Sequence, residues 1–203
     1  MGAGKESEVA SDLLLKCLDN GRVDVLCSLL SQIKNKPGFY ENVNELCCDE
    51  GTLLHRAVGL DSVDLVNTLL SNGANPCIRN QAGKTPYQMC KSDASRNAFV
   101  QETLRTITSS NIGRLCQFIS SGVPVDSFDS KQSRNTLLNW AADFSTADIV
   151  RTLCESGANV DLPNAKGETP LITAIRRGDE QCVRQLLFFG ADPTKKTNEV
   201  HQF

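Results

Sequence analysis

Apolar residues in several parts of the chain follow the spacing of one face of an α-helix. Positions i, i+1, i+4 and i+5 are apolar in the segments 65–70, 149–154 and 182–187. Residues with this spacing lie on one side of a helix, while the other side remains polar. The pattern predicts amphipathic helices that bury one face against their neighbours, so the expected fold class is all-α.

Short segments that begin with threonine recur at a fixed distance. Thr52 opens the hexapeptide Thr-Leu-Leu-His-Arg-Ala, and related hexapeptides begin at Thr85, Thr136 and Thr169. The first two threonines are 33 residues apart, and so are the last two. A threonine hydroxyl caps a helix by accepting a hydrogen bond from a free backbone N–H. Each threonine therefore predicts the start of a short helix.

Glycines follow the longer apolar segments and mark where the second helix of each pair ends. Gly157 and Gly190 are 33 residues apart, whereas Gly122 and Gly157 are 35 apart. Glycine readily adopts the left-handed conformation that ends a helix. The chain is therefore predicted to consist of tandem helix-turn-helix units, each of which must stack on its neighbours to form a core.

The threonine segments and glycine turns resemble the ankyrin repeat family, whose signature is Thr-Pro-Leu-His-x-Ala with a 33-residue period. The resemblance covers residues 11–193. It implies an ankyrin repeat solenoid of helix-turn-helix units with short β-hairpin-like loops. Such proteins bind partners through the hairpin tips and the short inner helices.

The resemblance also divides the chain. We expect a disordered N-terminus at residues 1–10 and a tail at residues 194–203 that leads into further sequence. The repeats between them are assigned to residues 11–46, 47–79, 80–105, 101–130, 131–163 and 164–193. Because Thr85 and Thr136 are 51 residues apart, one helix at 96–108 is predicted to serve both repeat three and repeat four. The stacking is therefore expected to be irregular near residues 92–110.

Charge and hydropathy exclude several kinds of partner. The chain has 21 Lys and Arg and 24 Asp and Glu, a formal net charge of −3, so it lacks the positive field that nucleic-acid binding requires. Its longest apolar runs are too short to cross a bilayer, and no signal peptide is evident. We expect no nucleic-acid partner, no membrane insertion and a cytoplasmic protein, with the nucleus left open as a second location.

The nine cysteines form no C-x-x-C pair, which indicates a reduced, intracellular protein. Five of them fall in apolar helical segments and are predicted to be small buried hydrophobic residues. These five are Cys17, Cys27, Cys116, Cys154 and Cys182.

The chain lacks the usual components of a catalytic or metal site. Its only histidines are His55 and His201, so a cysteine nucleophile has few candidate bases. The adjacent Cys47 and Cys48 lack the spacing of a structural zinc site. His55 occupies the histidine of the ankyrin signature, where the resemblance implies a structural bond to a neighbouring hairpin. We expect no catalytic residue, no cofactor and no metal, and an enzyme is the least favoured alternative.

The resemblance places the binding surface on the hairpin tips and inner helices of repeats five and six. The predicted partner-binding residues are Lys131, Arg134, Asn135, Trp140, Asp143, Phe144, Lys166, Glu168, Arg176 and Arg177. The five cations among them predict a basic strip, which suits either a partner with acidic residues or a solvated charged face. Trp140 is interpreted either as core packing or as an aromatic anchor. Phe144 is the better candidate for an exposed apolar contact.

The leading hypothesis is a non-catalytic, monomeric scaffold that binds a partner protein or peptide through its concave face and hairpin tips. An alternative comes from a second resemblance, which covers about one repeat. Residues 136–144, 153–155 and 157–160 look like the ankyrin segment of HECT-type ubiquitin ligases. This resemblance implies a module that recruits a substrate or regulator to a larger ubiquitin ligase.

Overall fold

A computed structural model describes residues 13–34, 43–44 and 51–198. The predictions for residues 1–10, Cys47-Cys48 and His201 lie outside these ranges. The helices are α1 (13–19), α2 (Val23–Ile33), α3 (Leu53–Gly59), α4 (Val63–Ser71), α5 (Pro86–Met89), α6 (Asp93–Thr108), α7 (Ile112–Ser121), α8 (Leu137–Phe144), α9 (Ala147–Glu155), α10 (Pro170–Arg177) and α11 (Glu180–Phe188).

The predicted all-α class with hairpin-like loops is confirmed. The described residues contain no β-strand, and an isolated antiparallel bridge joins Phe128 and Thr136 in the loop before α8. Within the described ranges, no helix is long and apolar enough to span a membrane. The predicted long helix at 96–108 is also present, as the continuous 16-residue helix α6.

The chain forms two compact units. The N-terminal unit holds the described residues up to Glu102 together with Ser120–Gly122. In this unit α4 packs on α2 and α3, and α3 also packs on α5. The apolar face of α4 is fully covered, because Leu65, Val66 and Leu69 have no exposed surface.

The C-terminal unit holds Thr103–Ile119 and the residues from Val123 onward. Here α8 pairs with α9 and α10 with α11, while α8 packs on α10 and α9 on α11. Ala141 and Ala174 are fully buried at these helix contacts, since a small side chain permits close approach. The two helix pairs therefore share one hydrophobic core.

Threonines cap the short helices, and the residue three positions later completes each cap. The N–H of Thr52 donates to Nδ1 of His55 over 3.1 Å. Because Nδ1 is the acceptor, the proton lies on Nε2, which donates to the carbonyl oxygen of Lys84 over 3.1 Å. Asn139 makes the same pair of bonds: it accepts from the N–H of Thr136 over 3.0 Å and donates to the next hairpin. The described geometry thus assigns His55 a structural role.

The cysteine prediction is wrong at two positions. Cys17, Cys154 and Cys182 are buried as expected, but Cys27 and Cys116 are exposed. Each exposed cysteine directly follows a buried leucine, and one residue along a helix turns the side chain by about 100°, away from the core. In the described part of the chain, no group of three His, Cys, Asp or Glu side chains could hold a metal ion.

Candidate partner-binding site

A groove of about 230 Å³ lies between the hairpin tips and the inner helices α8 and α10 of the C-terminal unit. Seven of the ten predicted binding residues line it: Asn135, Trp140, Asp143, Phe144, Lys166, Glu168 and Arg176. The other three, Lys131, Arg134 and Arg177, are exposed and do not line the groove. The structure therefore brings most of the predicted residues together around one cavity.

The hairpin before α8 is two residues longer than its counterparts. Asp129 begins it seven residues before Thr136, whereas Asn80 and Asn164 begin theirs five residues before the capping threonines. The extra length explains the 35-residue spacing noted in the sequence. Arg134 occupies the left-handed region with φ 51°, a conformation that side-chain-bearing residues rarely adopt.

Asp129 organises this long hairpin. Its Oδ1 accepts from the N–H groups of Ser130 (2.6 Å) and Asn135 (3.0 Å), while Ser133 Oγ donates to it over 2.7 Å. Its Oδ2 accepts from Trp140 Nε1 over 3.1 Å. Partial burial raises the pKa of Asp129, but these hydrogen bonds outweigh burial and hold the pKa below its usual value. The carboxylate thus stays charged and fixes both the loop and the tryptophan.

The sequence analysis missed Asp129. A signal was available, because this residue occupies the hairpin position that Asn80 and Asn164 hold elsewhere. The side-chain oxygen of Asn164, for example, accepts from the N–H groups of Lys166 and Glu168. The two-residue insertion obscured the correspondence.

Trp140 and Phe144 form an aromatic pair on α8. Trp140 is half-buried and is held by Asp129, so both interpretations of this residue describe part of its environment. The ring of Phe144 lies 4.8 Å from that of Trp140, centroid to centroid, at an interplanar angle of 34°. Phe144 is 53% exposed. The pair therefore presents an apolar surface whose inner half is rigidly placed.

Two cations of the predicted basic strip have local partners. Arg176 pairs with Glu168 at 2.6 Å and lies 4.0 Å from Asp143, and Arg177 donates to the carbonyl oxygen of Ser145 over 3.1 Å. The Glu168 side chain is only 12% exposed, so its charge is compensated locally. Arg176 therefore contributes less free positive charge to the surface than the sequence alone indicates.

The remaining cations lie on the hairpin tips. Among the described residues, the side chains of Lys131, Arg134 and Lys166 pair with no acidic group. The tips touch, because the N–H of Ala165 donates to the carbonyl oxygen of Ser133 over 2.8 Å. Arg134 and Lys166 each adjoin one of these bonded residues. The free positive charge is therefore concentrated on the tips (Lys131, Arg134 and Lys166), next to the groove.

The helix pairs and hairpins define an ankyrin repeat protein. A family model for ankyrin repeats in three copies matches residues 106–197, and a model for a single ankyrin repeat matches residues 49–81. Together these matches cover more than half of the chain. The chain belongs to the ankyrin repeat family.

Several ankyrin-containing relatives are similar over part of their length. "Ankyrin repeat, SAM and basic leucine zipper domain-containing protein 1" from Ovis aries is 39% identical over 99 residues, which is 46% of this chain and 20% of the relative. E3 ubiquitin-protein ligase KEG from Arabidopsis thaliana is 28% identical over 177 residues, 71% of this chain and 11% of the ligase. Palmitoyltransferase Hip14 from Drosophila melanogaster is 40% identical over 83 residues, 40% of this chain and 13% of the relative. The matches thus span a fifth or less of these relatives.

The crystal structure of the ankyrin repeat domain of Bcl-3 is similar at a TM-score of 0.46 and 21% identity, covering 91% of this chain and 88% of that one. The predicted likeness to a ubiquitin ligase is confirmed in that an E3 ligase is among the relatives.

Proposed function

We propose that this chain binds a segment of a partner protein in the groove and along the hairpin tips of its C-terminal unit. Ankyrin repeats are in general protein–protein interaction modules. The observation that supports this particular site is the exposed ring of Phe144 stacked beside a tryptophan that Asp129 holds in place. A preordered aromatic surface loses little entropy on binding, which favours it as an anchor.

The partner segment is proposed to carry an apolar side chain flanked by acidic residues. The apolar group would cover Phe144, while the acidic residues would face Lys131, Arg134 and Lys166. These three cations lack local partners, so they offer a net positive field that steers an acidic segment toward the tips. Arg176 is proposed to position Glu168 and Asp143 rather than to attract the partner.

The test is capture of partners from a cell lysate, identification by mass spectrometry, and measurement of affinity for each captured protein. Phe144→Ala is expected to weaken binding by about tenfold or more, as truncation of an anchor does. Phe188→Ala is the matched control, since Phe188 is 81% exposed and does not line the groove. Equal affinities for the wild type and Phe144→Ala would refute the anchor.

The tips are tested separately by reversing their charge. Arg134→Glu with Lys166→Glu is expected to slow association and to remove most of its dependence on salt. Lys195→Glu with Lys196→Glu is the control, because these exposed lysines follow the last helix and do not line the groove. If both double variants bound equally, the acidic character of the partner would be wrong.

A second candidate is the recruiting module of a larger ubiquitin ligase. It is favoured by the 177-residue similarity to an E3 ligase, of which this stretch forms 11%. In that case the captured partners would be ubiquitinated by the full-length gene product, and Phe144→Ala would reduce their ubiquitination without changing autoubiquitination. A gene product with no ligase domain would exclude it.

We also propose a cytoplasmic and nuclear location and a monomeric state for the isolated chain. Microscopy of a fluorescently tagged chain tests the first, and sedimentation velocity tests the second. Secretion of the tagged chain or a stable dimer would contradict these proposals.

A further inference from the structure

The last helix pair of the C-terminal unit carries an exposed apolar face. Ile175 on α10 is 58% exposed and Leu187 on α11 is 45% exposed. Val183, one turn before Leu187, is partly exposed. Large aliphatic side chains gain free energy when they are removed from water, so an open face of this kind calls for an explanation.

The preceding repeat identifies what these positions normally contact. The residues 33 positions earlier are Ala142, Val150 and Cys154, with exposures of 0%, 0% and 8%. They lie on α8 and α9, which pack against α10 and α11 of the following repeat. In repeat five, these positions are therefore buried when the next helix pair stacks.

The same correspondence holds in the N-terminal unit. The equivalent residues of repeat two are Val58, Val66 and Leu70, with exposures of 0%, 0% and 1%. Phe188 behaves differently, because its counterparts Glu155 and Ser71 are themselves exposed. The face that stacking covers in earlier repeats thus consists of Ile175, Val183 and Leu187, and Phe188 lies beside it.

The residues after α11 follow the path that leads into a new repeat. The N–H of Asn198 donates to the carbonyl oxygen of Lys166 over 2.9 Å. Ala165 and Ser133 form the corresponding bond over 2.8 Å, and both partners of the later bond are 33 residues further along. The hairpin bond between successive repeats therefore occurs once more after repeat six.

A second pair of bonds repeats in the same way. The N–H of Asp192 donates to Asp161 Oδ1 over 3.0 Å, as the N–H of Asn159 donates to Asp126 Oδ1 over 2.9 Å. Residues 190–198 consequently adopt the loop conformation that carries the chain from repeat five to repeat six.

We propose that Ile175, Val183 and Leu187 form a stacking face for one further ankyrin-type helix pair, joined to the chain through the hairpin that residues 190–198 begin. Its near side would carry small and aliphatic residues, as Leu171, Ala174 and Leu186 do where α10 and α11 lie against repeat five. The interface is continuous with the contacts between α8 and α10 and between α9 and α11. This inference is independent of the proposed groove.

The test supplies the missing helix pair in register. The extended chain has residues 1–198 followed by a second copy of residues 166–198, and it is compared with the 203-residue chain by calorimetry and hydrogen exchange. The extended chain is expected to melt several degrees higher, with slower exchange in α10 and α11. Ile175→Asp with Leu187→Asp is expected to cancel this gain in the extended chain and to change the melting temperature of the 203-residue chain much less.

Leu60→Asp is the matched control, because Leu60 is 44% exposed and lies in the N-terminal unit. It is expected to shift both chains equally. An appended copy that exchanges as an unfolded segment, or a double variant that shifts both chains equally, would overturn the proposal. So would a 203-residue chain that sediments as a dimer and becomes monomeric in the double variant, because the occupant would then be a second copy.

Discussion

The side chains of His55 and Asn139 solve the same local problem with different chemistry. Each accepts from the N–H of a capping threonine and donates to the carbonyl oxygen of the next hairpin, 29 residues further along. Only the imidazole changes its charge near neutral pH. Burial lowers the pKa of His55, and the bond to Lys84 offsets part of this effect.

This difference predicts a pH dependence of stability. The pKa of His55 in the folded chain lies below its value of 6.5 in the unfolded chain, so between these values the unfolded state binds more protons. The contribution to the free energy of unfolding is complete above the unfolded pKa and is lost as the pH falls toward the folded pKa. His55→Asn, which introduces the side chain that Asn139 provides in repeat five, is expected to abolish that loss.

The measurement is urea unfolding of both proteins at about pH 7.5 and about pH 5, a range that spans the titration of histidine but not of ordinary carboxylates. The wild type is expected to lose more free energy of unfolding than His55→Asn. Identical losses would mean that the imidazole does not control acid stability.

At the scale of the helix, the ends depend on backbone conformation more than on contacts. Gly178 ends α10 with φ 74°, and a side chain there would meet no atom within 4 Å. Gly113 in the first turn of α7 has helical backbone, with only Asn111 Oδ1 near its missing side chain, at 3.9 Å. The same substitution should therefore have opposite effects at the two positions.

Gly178→Ala is expected to lower the free energy of unfolding by about 1 kcal/mol, because alanine is strained in the left-handed region. Gly113→Ala is expected to raise it by about 0.5 kcal/mol, because alanine favours helix and restricts the unfolded chain. Both lie in the C-terminal unit, so one urea-unfolding experiment compares them directly. A loss of stability in both variants would contradict the conformational explanation.

The helices were predictable from sequence because their signals are local and repeated. A threonine cap, an apolar face and a glycine end each leave a mark within a few residues, as at Thr136 and Gly157. Asp129 and Arg176 were harder to interpret, because their roles depend on partners up to eleven residues away. The exposure of Cys27 and Cys116 was mispredicted because both border an apolar stripe, where one residue separates the core from solvent.

Across the whole molecule, thiol reactivity should divide sharply. Burial raises the pKa of Cys90 and Cys154 to about 11 and that of Cys182 to about 12, so these groups remain protonated and covered. Cys27 and Cys116 are exposed. Since the thiolate is the nucleophile, alkylation should begin at the exposed pair.

Brief treatment of the native protein with iodoacetamide, followed by peptide mass spectrometry, is expected to label Cys27 and Cys116 well before the three buried cysteines. Prior unfolding in urea is the control and should equalise the five rates. Native labelling of Cys182 as fast as Cys116 would show that α11 opens readily.

The bonds between successive hairpin tips, from Ala165 to Ser133 and from Asn198 to Lys166, use only main-chain atoms. Alignment of one loop on the next therefore does not depend on which side chains project from them. Residues such as Lys131 and Arg134 are free to diverge under selection for a new ligand while the loops keep their alignment. Recognition in this molecule can evolve without renegotiating the architecture that displays it.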